Sequence, residues 1–178
     1  SRCGICFVAE GENDMTAEIR GVAVAISETE AAYIPAGFEA GTAGVLDLLA
    51  RGDIKKVTSQ SKRDYVIAHR LRNDGQAGIK NYFDISLAHY LLQPEMRHSM
   101  DTLASIFLDY NMMPDPILSV KRGSKIQSST EEEIAKWACE QAAVALRLER
   151  PLEDEIKKEG MEKLLWNVEF PLATVLAD

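Results

Sequence analysis

The order of strand-like and helix-like segments constrains this chain more than any other feature of its sequence. Residues 19–26 alternate apolar and polar side chains around Val22 and Val24, a pattern typical of a half-buried strand. Turn residues follow, and residues 31–35 form the second strand of a predicted hairpin. Three further short apolar segments are predicted to be strands, at residues 5–8, 54–58 and 82–85.

Capping residues and apolar stripes predict the helices. Ser61, Ser99 and Thr130 stand at expected N-cap positions, and Glu133 gives Thr130 the spacing of a capping box. Pro151 is expected to end the helix that begins after Thr130. The predicted helices cover residues 41–51, 61–71, 86–92, 100–108, 130–150, 151–158 and a last segment after Gly160. A strand meander followed by alternating helices and strands predicts an α/β fold, a mixed sheet with helices packed on it.

The charge balance limits the partners that the chain can bind alone. It carries 28 acidic and 20 basic residues, a net charge of −8. Neutralising DNA phosphates requires clustered Lys and Arg, so the composition argues against a self-sufficient nucleic-acid binder. It leaves room for a domain tethered to a partner with a basic groove. No apolar run approaches the ~20 residues of a membrane span, so we expect no membrane partner.

The cysteines favour a structural role. Cys3 and Cys6 have C-x-x-C spacing, but the sequence around them reads as a strand, and neither a second pair nor a nearby histidine accompanies them. We therefore favour buried thiols over a redox or metal site for these two and for Cys139. Low cysteine content and the lack of a signal peptide predict a cytoplasmic protein.

Four sequence runs carry a family resemblance. They are AAYIP at 31–35, FDISLAHYLL at 83–92, RHSMDTLA at 97–104 and EFPLATVL at 169–176. In this order they resemble runs of the 3′–5′ proofreading exonuclease domain of bacterial family A DNA polymerases. The resemblance implies a ribonuclease H-like fold, a mixed β-sheet flanked by α-helices, whose active members hold two metal ions with four carboxylates.

Three motifs of that family, D-x-E, N-x-x-x-D and Y-x-x-x-D, supply those carboxylates. Their positions are occupied in this chain by Cys6, Val8, Gln60, Asp64, Trp137 and Gln141. A two-residue shift would instead place the first motif on Val8 and Glu10. The ungapped register keeps one carboxylate, Asp64, and the shifted register keeps two.

The missing ligands predict a degenerate site without exonuclease activity, since thiol, alkyl and amide groups are poor substitutes for hard anionic ligands. A degenerate domain of this kind also occurs in bacillus-type polymerases. We expect no metal cofactor in this domain, with Mg²⁺ confined to the parent polymerase domain. We also expect side chains such as Trp137 to fill the old cleft, and Asp64 to be paired with a nearby donor.

Two alternatives stay open. The acidic turn after the first strand keeps an active nuclease possible, with atypical ligands among Glu10, Glu12, Asp14 and Asp64. A freestanding nucleic-acid-binding module is the other.

The resemblance also implies partners and boundaries. The expected partners are the polymerase domain of the same chain and, through the parent protein, DNA. Weak candidates for DNA contact are Lys121, Arg122 and Lys125. We expect a monomer in which residues 1–150 form the exonuclease-type domain and residues 151–178 a helical connection toward a polymerase domain. The lack of an initiator Met and the apolar end of the chain suggest a domain cut from a longer protein.

Overall fold

The computed structural model describes residues 1–72, 78–118 and 129–175, with backbone alone for residues 173–175. Five strands form one mixed sheet: β1 (Arg2–Glu10), β2 (Glu18–Ala25), β3 (Ala31–Pro35), β4 (Lys55–Thr58) and β5 (Tyr82–Asp84). Their order across the sheet is β3-β2-β1-β4-β5. The first three strands are antiparallel neighbours, while β4 runs parallel to both β1 and β5. The predicted mixed sheet is confirmed.

Helices cover both faces of the sheet. They are α1 (Glu39–Ala50), α2 (Ser61–Arg72), α3 (Ile85–Leu92), α4 (Met100–Leu108) and α5 (Glu131–Lys158), followed by the short helices α6 (Glu162–Leu164) and α7 (Phe170–Val175). A π-helical turn, Leu165–Glu169, joins α6 to α7, and a single helical turn occupies residues 116–118. Among the described helices, none combines the length and hydrophobicity that crossing a bilayer requires.

The pleat of β1 explains its nearly continuous apolar sequence. Cys3, Ile5 and Phe7 pack into a cluster with residues of α1 and α2. The intervening Cys6 and Val8 face a second, larger cluster built on α5. A strand buried on both faces has no polar side to alternate with. This is why the strand, predicted over 5–8, extends over Arg2–Glu10.

The predicted helix break at Pro151 is wrong. Helix α5 runs without interruption through the proline. Leu152 and Ile156, beyond it, are buried in the main cluster. Just before it, Glu149 is 3% exposed and accepts contacts from Arg2 Nη1 at 2.5 Å and Lys55 Nζ at 2.6 Å. These buried contacts on both sides of the proline offset the loss of the backbone hydrogen bond that a proline cannot donate.

The helix starts agree only in part with the predicted caps. Thr130 and Glu133 form the predicted capping box. Ser99 is at the N-cap of α4, but its hydroxyl makes no capping bond to the backbone. Ser61 is the first residue of α2, and its buried hydroxyl has no partner among the described atoms. The predicted side-chain caps at Ser61 and Ser99 are therefore wrong.

Helix α5 approaches β1 so closely that one position requires glycine. A Cβ atom on Gly4 would lie 2.0 Å from the carbonyl oxygen of Ala142 and 3.2 Å from the Leu146 side chain. The backbone of a buried helix has no room to yield to such a contact.

Gly4→Ala is expected to lower the free energy of unfolding by about 2–4 kcal/mol, because the added methyl group forces α5 from the sheet. Gly44→Ala is the matched control. It lies within α1, its Cβ would meet nothing within 4 Å, and alanine there should stabilise by about 0.5–1 kcal/mol. Urea denaturation of both variants measures the contrast. Equal stabilities would contradict the close approach.

Candidate functional site

A cleft of about 660 Å³ opens where β1 and β4 meet the beginning of α2 and the face of α5. Five of the six sequence-predicted site positions line it: Cys6, Gln60, Asp64, Trp137 and Gln141. The sixth, Val8, lines an adjoining pocket of about 310 Å³ with Trp137 and Glu10. The fold therefore brings together positions that are 135 residues apart in sequence.

The described side chains leave the cleft open, contrary to the expectation that side chains fill it. Trp137 is half-buried and lies in the wall. The opposite wall contains His98 and Met100, at the beginning of α4, with Met112 and Met113 beyond it. A space of this size with both polar and apolar walls can accept a ligand the size of a nucleoside.

The orientation of the first strand favours the ungapped register. Cys6 points toward α5 and interacts electrostatically with Asp64. Glu10 turns away to Arg20, whose Nη1 lies 3.0 Å from the Glu10 carboxylate. The other amino group of Arg20 lies 3.1 Å from Glu131 at the start of α5. Glu10 is thus held by an ion pair outside the cleft that contains Asp64.

In this register Asp64 occupies the one family carboxylate position that still holds an acidic residue, and the residue is only 4% exposed. The Thr58 hydroxyl donates a hydrogen bond to it. Burial raises the pKa of Asp64 to about 7, and the nearby Asp84 adds to the effect, whereas Thr58 and Arg63 oppose it. The expected pairing with a nearby donor is confirmed.

Asp84, predicted only as a strand residue, caps the helix on which Asp64 lies. Its two carboxylate oxygens accept the backbone N–H of Ser61 at 2.8 Å and that of Leu87 at 2.9 Å. One buried side chain therefore caps the N-termini of both α2 and α3. Its position directly before a helical segment was the available signal.

The cleft does not fit two divalent cations. Two adjacent dications need several carboxylates, yet the described residues contain no group of three or more His, Cys, Asp or Glu side chains arranged to hold a metal. Burial raises the pKa of the Cys6 thiol, which opposes a thiolate ligand. Gln141 offers only a neutral amide. The Gln141 amide and Asp64 are therefore weak replacements for the four anionic ligands of a two-metal site.

The atypical acidic ligands do not converge either. Glu10 pairs with Arg20, and Asp14 lies 3.2 Å from Arg63 Nε. Glu12 is exposed and Asp64 is buried. Three of these four acids thus have other partners in the structure.

The three thiols behave as structural residues. Cys3 and Cys6 are free and lie on opposite faces of β1, so they cannot join each other. Burial raises the pKa of Cys3 to about 11, and Cys139 is also free with a raised pKa. The expected burial is found for Cys3, whereas Cys6 and Cys139 are half-buried. Lys121, Arg122 and Lys125 lie outside the described residues.

Comparisons with family models and with known protein sequences point to the same family. The sequence model of a family described as 3′–5′ exonuclease matches residues 9–157. DNA polymerase I of Borreliella burgdorferi is 25% identical over 173 residues, which cover 92% of this chain and 18% of the relative. The chain spans less than a fifth of the length of the polymerases that it matches.

Solved structures share the fold. One is the POL domain of Pol1 from M. smegmatis in complex with DNA primer-template and dNTP. It superposes with a TM-score of 0.77 at 20% identity, over 99% of this chain and 28% of that one. Another is Brucella melitensis NrnC with bound Mg²⁺, with a TM-score of 0.76 at 18% identity, over 98% and 84%. The ribonuclease H-like fold, a mixed sheet flanked by helices, is confirmed.

The contribution of Asp64 to the stability of the domain is expected to fall as the pH rises from about 4 to about 7. Asp64 has a higher pKa in the folded protein than its usual value near 4, so folding favours the protonated form, and ionisation at higher pH disfavours the fold. Asp64→Asn should therefore raise the free energy of unfolding by about 2–4 kcal/mol at pH 8, an advantage that disappears near pH 4.

Thermal and urea unfolding across this pH range provide the measurement. Asp47→Asn is the control, because Asp47 is exposed and pairs with Arg72 at the surface. The interpretation fails if Asp64→Asn and Asp47→Asn show the same pH profile.

Proposed function

The chain belongs to the 3′–5′ exonuclease family found within DNA polymerase I, and we propose that it forms a catalytically inactive, structural domain of a longer DNA-directed DNA polymerase. The observation that carries the proposal is the cleft itself. The six positions that correspond to the family's ligand motifs line this cleft and the adjoining pocket, and three of the four carboxylate positions hold Cys6, Val8 and Gln141.

The chemistry of phosphodiester hydrolysis explains why these replacements matter. In a site with all four carboxylates, two bound divalent ions would activate the attacking water and stabilise the leaving oxygen. Cys6 and Gln141 supply no negative charge to hold such a pair. The aromatic Trp137 stands where the family has a tyrosine, and its indole offers a single N–H donor in place of a hydroxyl.

The proposed partner of this domain is a polymerase domain in the same chain. The C-terminal helical segment presents exposed apolar residues on its surface: Leu164, Trp166, Val168 and Leu172. Their exposed fractions lie between 38% and 48%, although Leu165 and Phe170 between them are buried. Surface apolar residues grouped on one short segment are typical of a face that another domain covers. DNA would then be reached through the parent protein, with Mg²⁺ held in the polymerase domain.

We further propose that the parent protein is a cytoplasmic monomer. No specific observation favours a freestanding nucleic-acid-binding module. The acidic composition opposes it, with a net charge of −8.

The purified domain is expected to release no nucleotides from the 3′ end of single-stranded DNA in Mg²⁺ or Mn²⁺, because its cleft lacks the ligands for both ions. Labelled oligonucleotides resolved on a denaturing gel provide the measurement, with Asp64→Ala assayed beside the wild-type domain. Both should match the no-enzyme background. Metal-dependent shortening by the wild-type domain that Asp64→Ala abolishes would establish the active-nuclease alternative.

Val168→Lys is expected to change the stability of the isolated domain by less than about 0.5 kcal/mol, since that side chain is 48% exposed. In the longer protein the same substitution should weaken the contact between this domain and the polymerase domain, because a lysine would be buried against an apolar surface. Limited proteolysis of the longer protein measures the effect, with Lys158→Ala as an exposed control. Unchanged cleavage would contradict the proposed domain contact.

A further inference from the structure

Arg63 reaches from the first turn of α2 to the end of β1, at the boundary between the cleft and the adjoining pocket. Its Nη2 donates to the backbone carbonyl of Ala9 at 2.6 Å. Its Nε lies 3.2 Å from the Asp14 carboxylate, and its Nη1 is 3.4 Å from the Gln60 side-chain oxygen. The side chain is only 24% exposed.

The groups around this guanidinium resemble the surroundings of a hard cation. A carboxylate, a backbone carbonyl and a side-chain amide oxygen converge on it, and these are the ligand types that Mg²⁺ and Ca²⁺ prefer. Arg63 also stabilises the charged form of its chain neighbour Asp64. No other cation is within pairing distance of Asp14 among the described residues.

We propose that Arg63 is the built-in counter-charge of this cleft and takes the role that bound divalent ions would have in a site with all four carboxylates. This inference rests on the proposed loss of the metal site. A guanidinium is always charged and needs no ion from solution, so Asp14 stays compensated without metal, and the burial cost of a charged Asp64 is offset in part. Its bond to Ala9 also fastens the end of β1 to α2, which keeps the cleft open in one shape.

The proposal predicts that removing Arg63 creates a demand for divalent cations. Arg63→Gln should lower the melting temperature. About 10 mM Mn²⁺ should restore about 3 °C of that loss, because the neighbouring acids and the Ala9 carbonyl would then be free to bind the ion weakly. The wild-type domain should show no shift with Mn²⁺ beyond that of NaCl at equal ionic strength. Arg63→Met keeps the aliphatic stem and gives the same comparison should the glutamine variant fail to fold.

Arg70→Gln is the matched control. Arg70 fastens the same loop, but it donates to the backbone carbonyls of Asp14 and Ala17, both at 2.8 Å. Its loss should lower the melting temperature without any restoration by Mn²⁺.

Two results would overturn the proposal: equal Mn²⁺ responses of the Arg63 and Arg70 variants, or binding of Mn²⁺ by the wild-type domain in an electron paramagnetic resonance titration of the free ion. Nuclease assays on the wild-type domain are independent of this comparison. An active wild-type enzyme would reject the proposed function, whereas inactivity with metal-insensitive Arg63 variants would reject the role of Arg63 alone.

Discussion

The close contact between helix α5 and strand β1 is the constraint on which the rest of this structure depends. Gly4 lets the helix backbone come against the strand at Ala142. The same helix carries Trp137 and Gln141 to the cleft and, further along, places Glu149 beside Arg2 and Lys55. A shift of α5 would therefore alter the cleft and the buried ion pairs together.

Buried charge is handled differently at two aspartates that lie near each other. Asp84 satisfies both carboxylate oxygens with backbone N–H groups at two helix ends. Asp64 accepts a hydrogen bond from a hydroxyl and forms no ion pair among the described residues. Burial raises the pKa of both aspartates. An ionised carboxylate left in this state stabilises the fold less than a neutral amide would.

The mixed sheet and most helix positions could be predicted from the sequence, because apolar periodicity and capping residues are local properties. The residues that meet in the cleft were predicted from the family resemblance. Sequence analysis failed where the outcome depends on distant partners. Pro151 is tolerated within a helix because Leu152, Ile156 and the ion pairs of Glu149 hold both sides of it. Asp84 caps α2 from 23 residues away, which no local pattern shows.

The state of the cleft was equally beyond sequence analysis. Whether Trp137 fills the space or lines it is decided by how α5 lies on the sheet, and the helix pattern alone does not fix that position. The role of Arg63 depends on the Ala9 carbonyl, a backbone atom without a sequence signature.

The π-helical turn Leu165–Glu169 has a consequence for how this region tolerates changes in length. It directly precedes Phe170 and Pro171, and a proline lacks the N–H that a regular α-helix would use there. A π turn contains one residue more than the α turn it replaces. The segment therefore contains one residue more than an α-helix would need. A single-residue deletion within it is expected to turn it into a regular α-helical turn, so that the helices on either side keep the same orientation. Phe170 is therefore expected to stay in the core after such a deletion.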